Sequence, residues 1–361
     1  MEPRKVKHLN IGSRRIGPGE PVYVVAELSA NHRQDFNHAE RLLRAAAESG
    51  ADAVKLQTYT PESLTLRSDD PRFRMGGRTP WRGRRLFDLY EEAYMPWDWQ
   101  PKLAAIAEDL GVALFSSPFD PTAVDFLEEM NAPAYKVASF ELVDLPLIEK
   151  IAATGKPLIM STGMASVAEI EEALAAARSD ATGSVDAPPV ALLKCTSAYP
   201  AKPESMNLRT IADMAERFGV VAGLSDHTLE SSVAVAAVSL GACIVEKHFT
   251  MSRGDGGPDA LFSLEPTEFA DMVRAIRMTE TALGRVQYEC AEAESSAKVL
   301  RRSLFVVKDI AAGELFAAEN VRSIRPAGGL PPKHLGEVLG LPASRDLKAG
   351  TPLGWDMLGD E

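Results

Sequence analysis

Short apolar runs, mostly β-branched and bounded by turn residues, alternate along this chain with longer stretches in which apolar positions recur every three to four residues. Eight of the runs read as strands: residues 22–28, 53–58, 113–117, 134–139, 157–162, 190–196, 220–226 and 243–249. Helical periodicity falls between them, for example at 38–49, 99–110, 123–130, 167–178, 208–218 and 231–240, and a last helix at 267–283 closes the series. Gly50, Gly111, Gly219 and Gly241 stand where such helices should stop, in keeping with glycine's ease at helix C-termini. Strands that are apolar throughout and each followed by a helix imply a parallel sheet covered on its outer face. Eight such units over roughly 260 residues fit a closed α/β barrel of the (β/α)₈ TIM type. An open doubly wound sheet is the alternative, but no GxGxxG follows the first strand.

Two departures from the pattern carry information. The second connection, 59–97, is long and rich in Arg, Gly, Pro and aromatic residues, as an inserted lid or substrate loop would be. Beyond Gly284 the alternation ends. The expected organisation is a catalytic barrel over 1–284, a polar linker over 285–302, and a small β-rich domain over 303–361.

A chain of 361 residues with 45% hydrophobic and 25% charged residues has the balance of a soluble protein with a sizeable core. The formal net charge of -12 argues against nucleic acid or an anionic membrane face as partner, so any anionic ligand must meet locally placed cations. No apolar run approaches the ~20 residues of a membrane helix. Residues 1–10 lack the apolar stretch of a secretory signal, and a cytoplasmic location follows as the expectation. The three cysteines show no CxxC spacing; Cys195 and Cys243 lie in apolar runs and are expected to pack.

Barrel enzymes place their chemistry at the C-terminal ends of the strands. Here those positions hold Glu27, Ser29, Asn31 and His32; Lys55 and Gln57; Ser116 and Ser117; Lys136, Ser139 and Glu141; Ser161 and Thr162; Lys194, Thr196, Ser197 and Tyr199; Ser225, Asp226 and His227; Glu246, Lys247 and His248. Charge inside apolar strands is costly unless paired or liganded. His227 and His248, in equivalent places on neighbouring strands, are candidates to share one divalent cation. With few carboxylates beside them, open positions remain for water and substrate, which suits Mn²⁺ or Mg²⁺ acting as a Lewis acid. Lys136 with Ser139, Ser161, Ser117 and Ser225 reads as a cradle for phosphate or carboxylate, although strand-end capping would also account for each serine. Glu27 and Glu141 are candidates for general acid or base, the alternative being that they only neutralise Lys55 and Lys136.

The strings VVAELSANH, DAVKLQTYTPE, FSSPFD, PAYKVASFE, IMSTGMA, LLKCTSAYP, GLSDHT, EKHFT and GGPDALFSLEP closely resemble the sialic acid (nonulosonic acid) synthase family. RSLFVVKDI, ENVRSIRPAGGL and KAGTPL resemble the antifreeze-like SAF domain that ends its members. The resemblance implies condensation of phosphoenolpyruvate with an open-chain acetamido sugar. It implies that His227 and His248 hold a divalent metal, Mn²⁺ first, with Mg²⁺ or Co²⁺ as alternatives. Lys136, Ser139, Ser117, Ser161, Ser197 and Ser225 would hold phosphoenolpyruvate, and Glu27, Lys55, Gln57 and Glu141 would be catalytic. Gln57, Tyr199, Asp259 and Arg325 would contact the sugar, Arg325 from the other subunit of a domain-swapped homodimer. Ser197 and Phe140 stand where neuraminate synthases commonly carry Asn and Gly; with RTPWRGRRLFDLYEEAYMPWDWQPKL they resemble the pseudaminic acid branch more than the neuraminate or legionaminate branches. A Schiff-base aldolase using Lys136 or Lys55, and a non-catalytic sugar-binding protein, are the rival classes.

Overall fold

The structure, a computed structural model, describes residues 8–77, 79–178 and 187–359; the basic residues 1–7 lie outside the described residues. The chain separates into two compact units, Met1–Gly284 and Arg285–Glu361.

In the first unit the apolar runs form β1 (Tyr23–Glu27), β2 (Ala53–Thr58), β3 (Ala113–Pro118), β4 (Tyr135–Val137), β5 (Leu158–Ser161), β6 (Val190–Cys195), β7 (Val221–Asp226) and β8 (Ile244–His248). All neighbours are parallel, and β8 pairs with both β7 and β1, closing the barrel. The main covering helices are α1 (Phe36–Glu48), α2 (Gln100–Asp109), α3 (Pro121–Glu129), α4 (Leu145–Ala152), α5 (Val167–Arg178), α6 (Thr210–Phe218), α7 (Ser231–Ser239) and α8 (Pro266–Leu283). Outward strand residues such as Val24, Ala26, Val54 and Leu56 pack on Leu42, Leu43, Leu103 and Phe269 of the helices. Each such aliphatic side chain contributes about 1.5–3 kcal/mol by leaving water.

Local chemistry sets the element ends. Helix α3 begins at Pro121, two residues before the periodicity placed it: the Asp120 carboxylate accepts from the Thr122 and Ala123 amides, and proline suits the first helical turn. Helix α6 stops at Gly219, whose φ of +65° is the left-handed conformation. Strand β4 is shorter than its apolar run. The backbone turns after Val137, with the Glu141 amide donating to the Ala138 carbonyl, so Ser139 and Glu141 sit on a loop and not on the strand. Periodicity also passed over an N-terminal hairpin, Leu9–Ile11 with Arg14–Ile16, whose Leu9, Ile11 and Ile16 pack with the inward residues Tyr23, Val25, Phe115, Ile159 and Leu193.

The second unit opens with a 3₁₀ run, Glu292–Leu300, followed by β9 (Ser303–Val306) paired antiparallel with β10 (Val321–Ile324). Isolated bridges such as Ile310 with Leu347 and Leu315 with Pro342 complete a small β-rich module around Leu304, Val306, Phe316, Val321, Val338 and Leu353.

Candidate active site

Alternate residues of a strand point to opposite faces, so every second barrel residue points inward. The inward series is apolar near the hairpin and turns polar toward the strand C-termini. There Glu27, Lys55, Gln57, Lys136, Ser161, Cys195, Ser225, Glu246 and His248 line a cavity of about 370 Å³, joined from the following loops by Ser29, Ser139, Glu141, Ser197, Tyr199, His227 and Asp259.

Two lysines organise its floor. Lys55 Nζ lies 2.8 Å from Glu27 Oε2 and 3.3 Å from Glu246 Oε1, and donates to Ser117 Oγ at 3.3 Å. Lys136 Nζ donates to Ser161 Oγ at 2.7 Å and stands 4.0 Å from the same Glu246 oxygen. Burial alone would raise the Glu246 carboxyl, but Lys136 and Lys55 outweigh it and hold it below its ordinary value. Burial does dominate at Glu27, pushing it up to about 7 despite Lys55. Burial also depresses Lys136. Glu246 is thus held ionised between two lysines while Glu27 readily takes a proton, and with Glu27 protonated the floor suits an anion.

Beside this floor lies a nest of small groups. The Gly163 amide donates to Ser139 Oγ at 3.1 Å. Ser197 Oγ is buried with no hydrogen-bond partner. A Cβ on Gly163 would fall 2.3 Å from Ser197 Oγ and 2.7 Å from Ser139 Oγ, so only glycine lets the two hydroxyls converge.

The opposite wall carries the histidines. Their ring centroids are 5.4 Å apart. His227 Nδ1 donates to the Thr196 carbonyl at 2.9 Å, which directs its Nε2 lone pair away from that bond, and His248 Nδ1 is buried without a partner. The His227 ring also hydrogen-bonds the Cys195 side chain, a contact a cation would replace, and with the unpartnered His248 nitrogen beside it the two imidazoles fit a shared divalent cation. Among the described residues no group of three or more His, Cys, Asp and Glu side chains is gathered for a metal, so water and substrate would complete the coordination.

Toward the sugar side expected from the sequence, Gln57 Nε2 donates to Glu27 Oε1 at 2.9 Å and to Ser29 Oγ at 3.0 Å, and Ser29 in turn donates to Asp259. Tyr199 lies on His227 with ring centroids 4.3 Å apart. Glu141 has a buried, unpartnered Oε2, and burial pushes its carboxyl up to about 7. Arg325 belongs to the second unit, where it is exposed.

Strand-end position did not by itself select the cavity. Asp226 and Lys247 face outward and pair with each other, Ser116 faces Thr58 Oγ1 at 2.7 Å, and the His32 ring nitrogen lies 3.2 Å from the Ala93 carbonyl, away from the cavity. Cys195, expected as packing, is inward-facing and lines the cavity, whereas Cys243 does pack in the apolar floor. Glu246 had no assigned role in the sequence; its position two residues before His248 on one strand was the available signal. The long second connection supplies Leu64, Met75, Thr79, Trp81, Leu89 and Tyr90 to the cavity wall, as a substrate loop would.

Similarity to known proteins agrees with this geometry. Residues 42–288 match the NeuB family and residues 301–359 the SAF domain. The chain is 45% identical to pseudaminic acid synthase of Helicobacter pylori, over 93% of this chain and 98% of that protein. It is 32% identical to N,N'-diacetyllegionaminic acid synthase of Legionella pneumophila, over 96% of this chain and 97% of that protein. Among solved structures, the N-acetylneuraminic acid (sialic acid) synthetase of Leptospira borgpetersenii in complex with citrate superposes with a TM-score of 0.71 at 28% identity, covering 81% of this chain and 95% of that one. With a polar barrel mouth built from these strands and relatives aligned along nearly its whole length, the chain belongs to the NeuB family and carries a SAF domain at its C-terminal end.

Proposed function

We propose that this protein is a phosphoenolpyruvate-dependent transferase that condenses phosphoenolpyruvate with 2,4-diacetamido-2,4,6-trideoxy-L-altrose, yielding pseudaminic acid and phosphate. The observation that carries the reading is the pairing, in one cavity, of a lysine-and-hydroxyl seat for an anion with two adjacent imidazoles on the facing wall. The name of the 45% identical relative supports the sugar.

In this reading Lys136 and Ser161, with the Ser139–Gly163–Ser197 nest, Ser117 and Ser225, hold the phosphate and carboxylate of phosphoenolpyruvate. His227 and His248 hold a divalent cation, Mn²⁺ first, which supplies Lewis-acid polarisation of the sugar aldehyde. C3 of the enol attacks the aldehyde carbon, water adds at C2, and phosphate leaves with the bridging oxygen. Glu27 and Glu141, both held near neutrality by burial, are suited to give and take the protons these steps require. Lys55 keeps Glu27 in place and Gln57 ties Glu27 to Ser29, beside Asp259 and Tyr199 on the sugar side. A cytoplasmic homodimer, with Arg325 of the partner subunit reaching the sugar, belongs to the same reading. Among the described residues no helix is long and apolar enough to cross a membrane.

The test is phosphate release from phosphoenolpyruvate, assayed separately with the altrose derivative, N-acetylmannosamine and the legionaminate precursor. Preference for the altrose derivative is expected. Preference for N-acetylmannosamine would overturn the sugar assignment, and borohydride trapping of Lys136 or Lys55 with substrate would overturn the chemistry in favour of a Schiff-base aldolase.

A further inference from the structure

The second connection does more than roof the cavity. Residues 74–77 and 79–85 are drawn together at the neck by an antiparallel bridge between Arg74 and Arg85, with the Met75 amide donating to the Arg84 carbonyl at 2.8 Å. Beyond the neck the Trp81 indole Nε1 donates to the Pro258 carbonyl at 2.9 Å, one residue before Asp259. The Trp81 ring lies 5.6 Å from Tyr199 and 6.1 Å from Phe262, centroid to centroid. The Tyr199 ring is itself tilted against His227, with centroids 4.3 Å apart. An aromatic path therefore leads from the histidines through Tyr199 outward to Trp81. A sugar that placed its aldehyde at the histidines and ran along this path would bring its far carbons to Trp81.

The wall at that far end is one-sided in its chemistry. Leu64, Met75, Trp81 and Leu89 offer no polar partner, apart from the indole nitrogen already engaged by Pro258. Hydroxyls come to this wall from Tyr90 and from Thr79, two residues from Trp81, and that of Thr79 is buried and makes no hydrogen bond. A buried hydroxyl without a partner is costly and calls for one from a ligand. A terminal CH₃ gains from such a wall, whereas a terminal CH₂OH would lose its water there.

We propose that Trp81 and Thr79 select the sugar, the indole covering a deoxygenated terminal carbon and the Thr79 hydroxyl bonding the second acetamido group. This inference rests on the reading above and deepens it. It assigns discrimination to the inserted loop, while the strand ends carry the chemistry common to any acceptor.

The experiment compares wild type, Trp81→Ala, Trp81→Phe and Thr79→Val by phosphate release. The acceptors are the altrose derivative, its analogue with a hydroxyl at C6, and its analogue with a hydroxyl in place of the 4-acetamido group. Wild type should prefer the parent sugar over the 6-hydroxy analogue by roughly 10–100-fold in kcat/KM. Trp81→Ala should bring that ratio close to one, mainly through a higher sugar KM, with the KM for phosphoenolpyruvate unchanged and Trp81→Phe keeping most of the preference. Thr79→Val should lower kcat/KM for the parent sugar about 10-fold and leave the 4-hydroxy analogue unaffected. Unchanged ratios, or equal losses on all acceptors with an unaltered melting temperature, overturn the assignment of Trp81 and Thr79. Wild type that turns over none of these acceptors overturns the substrate reading itself, and this inference with it.

Discussion

Lys247 Nζ and Asp226 Oδ2 lie 2.6 Å apart with neither side chain exposed, on the outer face of the barrel directly behind the two histidines. The two residues are cross-strand partners of β8 and β7, and the same ammonium also donates to the Thr228 carbonyl. One cation thus holds the residues on both sides of His227 while preceding His248 in its own strand. A fully buried ion pair adds little net stability over an apolar pair, but losing one partner is severe. Asp226→Asn or Lys247→Met alone should therefore cost about 3–5 kcal/mol, and the double change Asp226→Leu with Lys247→Met should recover most of that loss. Urea denaturation followed by tryptophan fluorescence measures both; a double variant as unstable as the singles would contradict the account.

Metal removal addresses the histidine wall. Phosphate release should stop in EDTA and return on adding Mn²⁺. His227→Ala and His248→Ala should each weaken Mn²⁺ binding, read from the electron paramagnetic resonance of free Mn²⁺, by more than the roughly 10–100-fold typical of changes outside the ligand sphere. Full turnover in EDTA would rule out the metal-dependent mechanism.

Gly163 tests the anion nest. The methyl group of Gly163→Ala would enter the space where Ser139 and Ser197 converge, and overpacking of this kind costs about 1–3 kcal/mol. The expected reading is a KM for phosphoenolpyruvate raised roughly 5–100-fold with the sugar KM little changed. A variant with the reverse pattern would move the phosphate elsewhere in the cavity.

Glu141 has a signature in stability. Its carboxyl holds a proton up to about pH 7 in the folded protein, against an ordinary value of 4.5. Between those two values the folded state binds more protons than the unfolded chain, so its contribution to stability falls as the pH rises across that window and is level outside it. The total is on the order of 3 kcal/mol. Glu141→Gln should remove that slope, which denaturation at pH 5, 6, 7 and 8 would detect.

Much of this was legible in the residues. Eight apolar runs, the glycines after the helices and the change of pattern past Gly284 pointed to a barrel followed by a β-rich module, because parallel strands buried on both faces leave a continuous apolar signature. Strand-end position also brought forward Glu27, Lys55, Gln57, Lys136, Ser161, Ser225, His227 and His248, which the fold does gather around one cavity. It could not separate them from Ser116, Asp226 and Lys247. Those differ from the cavity residues by a single step along a strand, and a single step reverses the face.

The covalent sequence determined the strands, the covering helices and the supply of charge at one end of the barrel, because these depend on local periodicity and on residue type. Tertiary structure alone decided which charges share the cavity and which lie behind it, since pleat parity has meaning only once the sheet closes. It also decided that Leu9, Ile11 and Ile16 join the apolar core beneath the site, and that Trp81 meets Tyr199 across more than a hundred residues of chain. Contacts between segments so far apart depend on packing, and no short window of the chain encodes them.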